Sequence, residues 1–125
     1  MKLLMACMLI LIATSAHAEL PSATATVVTQ TLSSGRPTVI DLGARTCIPC
    51  KKMAPILETL SSEYRGKAGV LFIDVREDQA AAKKFGVQMI PTQIFFDAKG
   101  KEVRRHMGFM DRQAILKELK SAGLK

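Results

Sequence analysis

Two cysteines separated by two residues, Cys47-Ile48-Pro49-Cys50, have the residue types and spacing best suited to chemistry in this sequence. A β-branched run at 38–42 precedes them, and apolar residues at helical spacing follow, so the motif falls between a strand and the first turn of a helix. In that place Cys47 meets unpaired N–H groups and the positive end of the helix dipole, which favour a thiolate over a thiol. A thiolate attacks disulfides. Cys50, one turn on and turned inward, is placed to attack the resulting mixed disulfide and release a substrate. Pro49 suits a first turn, where its missing N–H would lack a partner anyway. Asp41, an acid in the middle of the apolar run, is out of place there and is a third candidate.

Other readings of the pair stand beside this one. A structural disulfide closing so short a loop would add little stability. A closed tetrahedral metal site would need two chains, because outside residues 1–18 the sequence has no cysteine besides Cys47 and Cys50 and no histidine besides His106. A module delivering a soft metal such as copper(I) remains open, although no second thiol pair supports it and Arg45, not Met, stands two before Cys47. Covalent haem attachment needs His after the second cysteine, and Lys51 is there instead.

The chain is 125 residues with 48% hydrophobic and 23% charged content, which suits one globular domain and excludes disorder, collagen and coiled coil. Its formal charge of +7 argues for mild attraction to anionic surfaces or acidic partners. No nucleic-acid motif or aromatic interleaving accompanies that charge. Residues 1–18 read as a secretory signal: Lys2, an uncharged apolar run at 3–13, then Ala16-His17-Ala18 as a small-x-small cleavage site. The run is too short for the ~20 apolar residues of a membrane span. Cleavage after Ala18 removes Cys7 and leaves an even pair of cysteines in residues 19–125, the expected single domain of a periplasmic or otherwise exported protein.

Several elements must hold the pair. A short helix is expected to end near Gly35, with Val27, Val28 and Leu32 inward, followed by the strand at 38–42. Met53, Ile56, Leu57, Leu60 and Tyr64 mark a long helix, with Pro55 predicting a kink. Residues 70–75 read as a central strand covered on both faces, and residues 77–85 as a short helix ended by Gly86. A strand at 92–96, a turn at 97–100 and a strand at 102–107 form a hairpin, and Asp111 caps a last helix with Ile115, Leu116 and Leu119 inward. Met89, Met107 and Met110 could frame a peptide-binding surface, but core filling is the preferred reading of them, and Arg104-Arg105-His106 reads as a solvated strand face.

Asp41 six residues before Cys47, the C-x-P-C motif, Pro55 five after Cys50, and Ile90-Pro91-Thr92 ahead of a strand together resemble the thioredoxin family. Phe85-Gly86-Val87 before that proline and Gly108 after the hairpin match as well, so the resemblance spans residues 38–119. It implies an α/β thioredoxin fold, a central mixed β-sheet flanked by helices as a three-layer sandwich. It also implies a thiol–disulfide oxidoreductase in which Cys47 attacks, Cys50 resolves, and a buried Asp41 of raised pKa handles the proton of Cys50. Pro91 would be cis and present the backbone of Ile90 to an extended substrate. Thr46, Ile48, Pro49 and Gly108 would complete the substrate surface.

Departures from the family pattern are specific. Thr46 replaces the tryptophan usual before the first cysteine, Leu42 replaces an aromatic, and Phe72 stands where a lysine typically faces the buried acid. Arg45 brings a positive charge near the motif. No cofactor beyond the cysteine pair is implied. The expected partners are protein disulfides and a membrane protein carrying reducing equivalents, and the expected state is a monomer. Because Ile48-Pro49 offers no donor where strong oxidants of the superfamily place His, reduction is the preferred direction, with an oxidase or isomerase as the alternative.

Overall fold

The computed structural model of the chain describes residues 19–125; the expected secretory leader at 1–18 and its cleavage site lie outside the described residues. In chain order the elements are α1 (Ala25–Leu32), β1 (Thr38–Gly43), α2 (Ile48–Glu63), β2 (Gly69–Asp74), α3 (Gln79–Lys84), β3 (Thr92–Phe96), β4 (Glu102–Met107) and α4 (Arg112–Ser121). The strands form one mixed sheet in the order β2-β1-β3-β4. β1 and β2 are parallel, because α2 crosses over between them, while β3 runs antiparallel to both β1 and β4.

Alternation along the strands sends side chains to two cores. Val39, Val70 and Phe95 pack with Met53, Leu57 and Leu60 of α2 and Ile115 and Leu119 of α4. Ile40, Leu42, Ile73, Ile94 and Phe96 pack on the other side with Val28 of α1 and Ala81 of α3. Helices therefore cover both faces, as expected of three layers. Asp111 caps α4 through Ala114 N–H, at 2.8 Å. The hairpin closes through Asp97, whose carboxylate accepts from the N–H groups of Lys99 and Lys101, and through Gly100 at φ 78°.

Two expectations need correction. The run at 70–75 is the outermost strand of the sheet, not a central one. It is nevertheless apolar on both faces because a core lies on each side of it, and the N-terminal segment covers its free edge. Ala23 N–H donates to Phe72 O at 2.7 Å, and Asp74 N–H donates to the Ser22 hydroxyl at 2.9 Å. The central positions belong to β1 and β3, every residue of which is buried. Val27 is 40% exposed, and only Val28 of α1 is buried, since the helix is short and turns one narrow stripe to the sheet. Among the described residues no helix is long and apolar enough to cross a membrane.

Leu119, fully buried between α4 and the sheet, is expected to cost about 2–5 kcal/mol when truncated in Leu119→Ala. Val27→Ala should stay within about 0.5 kcal/mol of the parent. Urea unfolding of both variants checks the assignment of the two positions.

Candidate active site

β1 delivers the chain to the site and α2 receives it. After Gly43 a turn over 44–47 is closed by Cys47 N–H donating to Ala44 O, and Cys47 then caps α2 in extended conformation at φ −83° and ψ 128°. Its carbonyl accepts the first helical bond, from Lys51 N–H at 2.9 Å. Ile48 and Pro49 make the first turn, and Cys50 follows, joined to Cys47 in a disulfide with Cα atoms 5.1 Å apart. Cys47 is half-buried and Cys50 is 5% exposed. An outside sulfur can therefore reach Cys47, while Cys50 is open only to its neighbour.

Asp74, at the end of β2, holds this turn in place. Its carboxylate accepts from Arg45 N–H at 3.2 Å on one oxygen, and from Arg76 and Glu77 N–H at 2.9 and 3.2 Å on the other. Burial alone would raise its pKa, but these three donors and the nearby Arg45 charge outweigh burial and hold it below the ordinary carboxylate value. The loop carrying the cysteines is thus tied to the loop after β2 by one ionised side chain.

The charge near the motif is not supplied as the sequence suggests. Arg45 turns toward the N-terminal segment, where it pairs with Glu19 at 3.0 Å, donates to Leu20 O, and lies 5.0 Å from the Phe72 ring centroid. Arg76, unremarked in the sequence, donates instead to the exposed Thr46 hydroxyl beside Cys47.

Asp41 is fully buried in β1. Oδ1 accepts from Gln93 Nε2 at 2.9 Å, and Oδ2 has no hydrogen-bond partner among the described residues. Burial pushes its pKa up to about 6, only partly offset by the Gln93 bond. Phe72 is its register partner on β2, so no cation answers it from that side. Gly43 lies between this acid and the disulfide: a Cβ there would stand 3.1 Å from Cys50 Sγ and 3.5 Å from Asp41 Oδ2. The missing side chain keeps the space between sulfur and carboxylate open.

The Ile90–Pro91 peptide bond is cis, and Pro91 O accepts from Gly108 N–H at 2.7 Å, bringing the two loops together. Pro91 is buried and Ile90 half-buried. Gly108, at φ 99°, has open space where a side chain would stand. Met89 O accepts from the Thr92 hydroxyl, and Met107 is the register partner of Thr92, so both methionines flank this junction. They are 54% and 58% exposed, and with Phe109 and Ile48 they add to the apolar surface of the molecule. Of the three methionines read as core fillers, only Met110 is one, with its N–H on Met53 Sδ. Met89 and Met107 flank a loop junction that no helix covers.

A second correction concerns β4. Arg104 and Arg105 are exposed, but His106 is half-buried and its Nδ1 lies 2.9 Å from Gln93 Oε1. Gln93 and His106 are opposite each other in the β3–β4 register. The clue available in the sequence was a glutamine inside an apolar strand, the counterpart of the acid in β1. Among the described residues no group of three or more His, Cys, Asp or Glu gathers as a metal set. The arrangement supports thiol–disulfide exchange: an accessible sulfur at a helix N-terminus, a shielded partner sulfur, and a carboxyl of raised proton affinity behind it.

Comparison with known proteins bears on the same residues. A family model described as Thioredoxin matches residues 21–121. Over 81 residues the chain is 40% identical to a Staphylococcus aureus protein named Thioredoxin, covering 65% of this chain and 77% of that one. It is also 40% identical over 88 residues to a bifunctional thioredoxin reductase/thioredoxin of Mycobacterium leprae; that match takes in 70% of this chain and spans 19% of the longer protein. The solved structure of a mutant thioredoxin from Halobacterium salinarum NRC-1 superposes with a TM-score of 0.72 and 32% identity, covering 82% of this chain and 88% of that one. Chloroplastic thioredoxin z shares the fold, with a TM-score of 0.71 at 23% identity over 84% of this chain and 95% of that one.

Asp41 makes stability depend on pH in a stated direction. Its pKa rises from 3.8 to about 6 on folding, so its contribution is complete below pH 3.8 and is lost as pH rises through about 6. Asp41→Asn, which keeps an acceptor for Gln93 but carries no charge, is therefore expected to be more stable than the parent at pH 8, by up to about 3 kcal/mol. The gap should close below about pH 4. Denaturant unfolding on either side of this range checks the expectation, and an equal gap on both sides would contradict the burial argument.

Proposed function

The chain belongs to the thioredoxin family and is a thiol–disulfide oxidoreductase, and from that premise we propose that it works as a reductase of protein disulfides in an exported compartment. The observation that carries the reading is the Cys47–Cys50 disulfide at the N-terminus of α2, with Cys50 shielded beside a buried Asp41.

In the reduced protein the Cys47 thiolate attacks one sulfur of a substrate disulfide. That S–S bond breaks, a mixed disulfide forms, and the first substrate sulfur leaves as a thiolate that takes a proton from solvent. Asp41 then accepts the Cys50 proton, and Cys50 Sγ attacks Cys47 Sγ. The second substrate thiolate leaves, and two electrons have passed from the cysteine pair to the substrate. The disulfide-bonded protein is the product. Ile90, Pro91 and Gly108, the last two joined by a backbone hydrogen bond, are the proposed pairing surface for a substrate chain, with Thr46, Ile48 and Pro49 as further proposed contacts and the exposed Met89 and Met107 flanking the Pro91–Gly108 junction.

What surrounds Cys47 supports reduction as the direction. A pair becomes strongly oxidising when its reduced thiolate is stabilised. Cys47 receives no side-chain cap bond, and neither Ile48 nor Pro49 carries a donor, so its stabilisation is left mainly to the helix end. The membrane source of electrons, the monomeric state, and use in cytochrome c maturation or disulfide repair extend this reading. So do cleavage of the leader after Ala18 and the absence of any cofactor beyond the pair.

A reduction potential near about −270 mV, the region of thioredoxin, is expected for the pair in glutathione or dithiothreitol buffers. A value between about −120 and −180 mV would turn the reading to oxidase or isomerase. Cys47→Ser should abolish reduction of a model disulfide, whereas Cys50→Ser should accumulate the mixed disulfide. Export is checked separately, by finding that the protein recovered outside the bacterial cytoplasm begins at Glu19.

A further inference from the structure

Asp41, Gln93 and His106 form an unbroken line of hydrogen bonds across three adjacent strands. Gln93 Nε2 donates to Asp41 Oδ1 at 2.9 Å, and Gln93 Oε1 lies 2.9 Å from His106 Nδ1. The register permits this: Asp41 of β1 is opposite Gln93 of β3, and Gln93 is opposite His106 of β4. Asp41 and Gln93 are fully buried, and the imidazole is half-buried.

We propose that Gln93 and His106 are positioning residues for Asp41, the imidazole fixing which end of the amide faces the acid and the amide setting how readily that acid takes the Cys50 proton. An amide has one accepting and one donating end. With its NH2 group on the carboxylate, its oxygen is turned to His106, and a carbonyl oxygen only accepts. Nδ1 therefore carries a proton in this arrangement, and the line serves an ionised Asp41. When Asp41 is protonated, a second arrangement opens that the ionised acid cannot adopt: with its proton on Oδ1 the acid donates to Oε1, and the amide donates to a bare Nδ1. The two ends of the line are thus linked: a proton held on Nδ1 favours a charged Asp41, and a protonated Asp41 favours a bare Nδ1. The bearing of this on catalysis rests on the oxidoreductase reading, through the role of Asp41 toward Cys50.

The charges nearest the acid lie beyond Phe72 and Cys50, where Arg45, paired with Glu19 and 5.0 Å from the Phe72 ring centroid, and Lys51 line a shared cavity. Facing Asp41 are Phe72 from β2, Gln93 from β3 and, across the gap beside Gly43, Cys50 from α2. On the His106 side, Arg104 of β4 lies 3.8 Å from Glu118 of α4, and Asp111 is engaged as the cap of α4. Arg105 is taken up by Glu102 and the carbonyls of Phe85 and Gly86. The Gln93 bond is the one interaction that lowers the pKa of Asp41 against the effect of burial.

The test reads the titration of the Asp41 carboxyl directly, by carbon-13 NMR on the oxidised protein, in three variants. Gln93→Leu should move the midpoint upward by about one to two pH units, the worth of one hydrogen bond to a charged acceptor. His106→Phe should move it upward by a smaller amount. His106→Asn, which keeps a donor N–H near the position of Nδ1, should return it toward the parent value. A purely structural role would make the two His106 substitutions alike. The inference is overturned if Asp41 titrates unchanged in His106→Phe, or if His106→Asn and His106→Phe shift it equally. Because His106 lies on the edge strand β4, its variants decide the matter even if Gln93→Leu does not fold. The same shifts in a protein that reduces no model disulfide would overturn the reductase reading and leave this one standing.

Discussion

A carboxyl group held without a cation in the middle of the sheet is the constraint around which the structure is arranged. Ionising Asp41 in that setting is costly, because burial removes water and only one donor replaces it. The protein retains the acid at a position where an apolar residue would pack more favourably. The result is a carboxyl whose pKa is pushed up to about 6 by burial, across the gap beside Gly43 from Cys50. Gly43 belongs to the same arrangement, since a side chain there would press on Cys50 and the acid together.

The cysteines depend on a second acid used in the opposite way. Asp74 is also buried, but three backbone donors surround it and keep it ionised. One carboxylate has a single donor, and burial raises its proton affinity. The other is saturated and serves as a rigid tie between two loops. Environment alone separates their roles, and both lie on strands that lead into the site.

Much of this was legible in the sequence where chemistry requires residue types at fixed local spacing. Cys47, Cys50, Pro49 and Asp41 stand out because each breaks or completes a local pattern, Pro91 stood out through the resemblance to the thioredoxin family, and the helices and strands followed from periodicity. What was hidden depends on pairing between distant segments. Gln93 and His106 acquire meaning only from the β3–β4 register, and Asp74 only from loops brought together by folding. Strand order was hidden for the same reason: an apolar strand reads alike whether a neighbouring strand or an N-terminal segment lies along its edge. Arg45 and Arg76 are long, flexible side chains on adjacent loops, and which of them reached the motif was decided by Glu19, a residue far off in sequence.

The cover on β2 has a further consequence, for solubility. The two outer strands of the sheet are protected by unlike means. β4 presents Glu102, Arg104 and Arg105 to solvent, and charges of this kind discourage a second chain from pairing there. β2 carries no such guard; its sequence is an uninterrupted apolar run ending in one acid, and among the described residues it is Ser22 and Ala23 that pair along its free edge. Peeling that short segment away would bare an unpaired apolar strand and give other molecules a template for aggregation, long before the cores beneath it had melted.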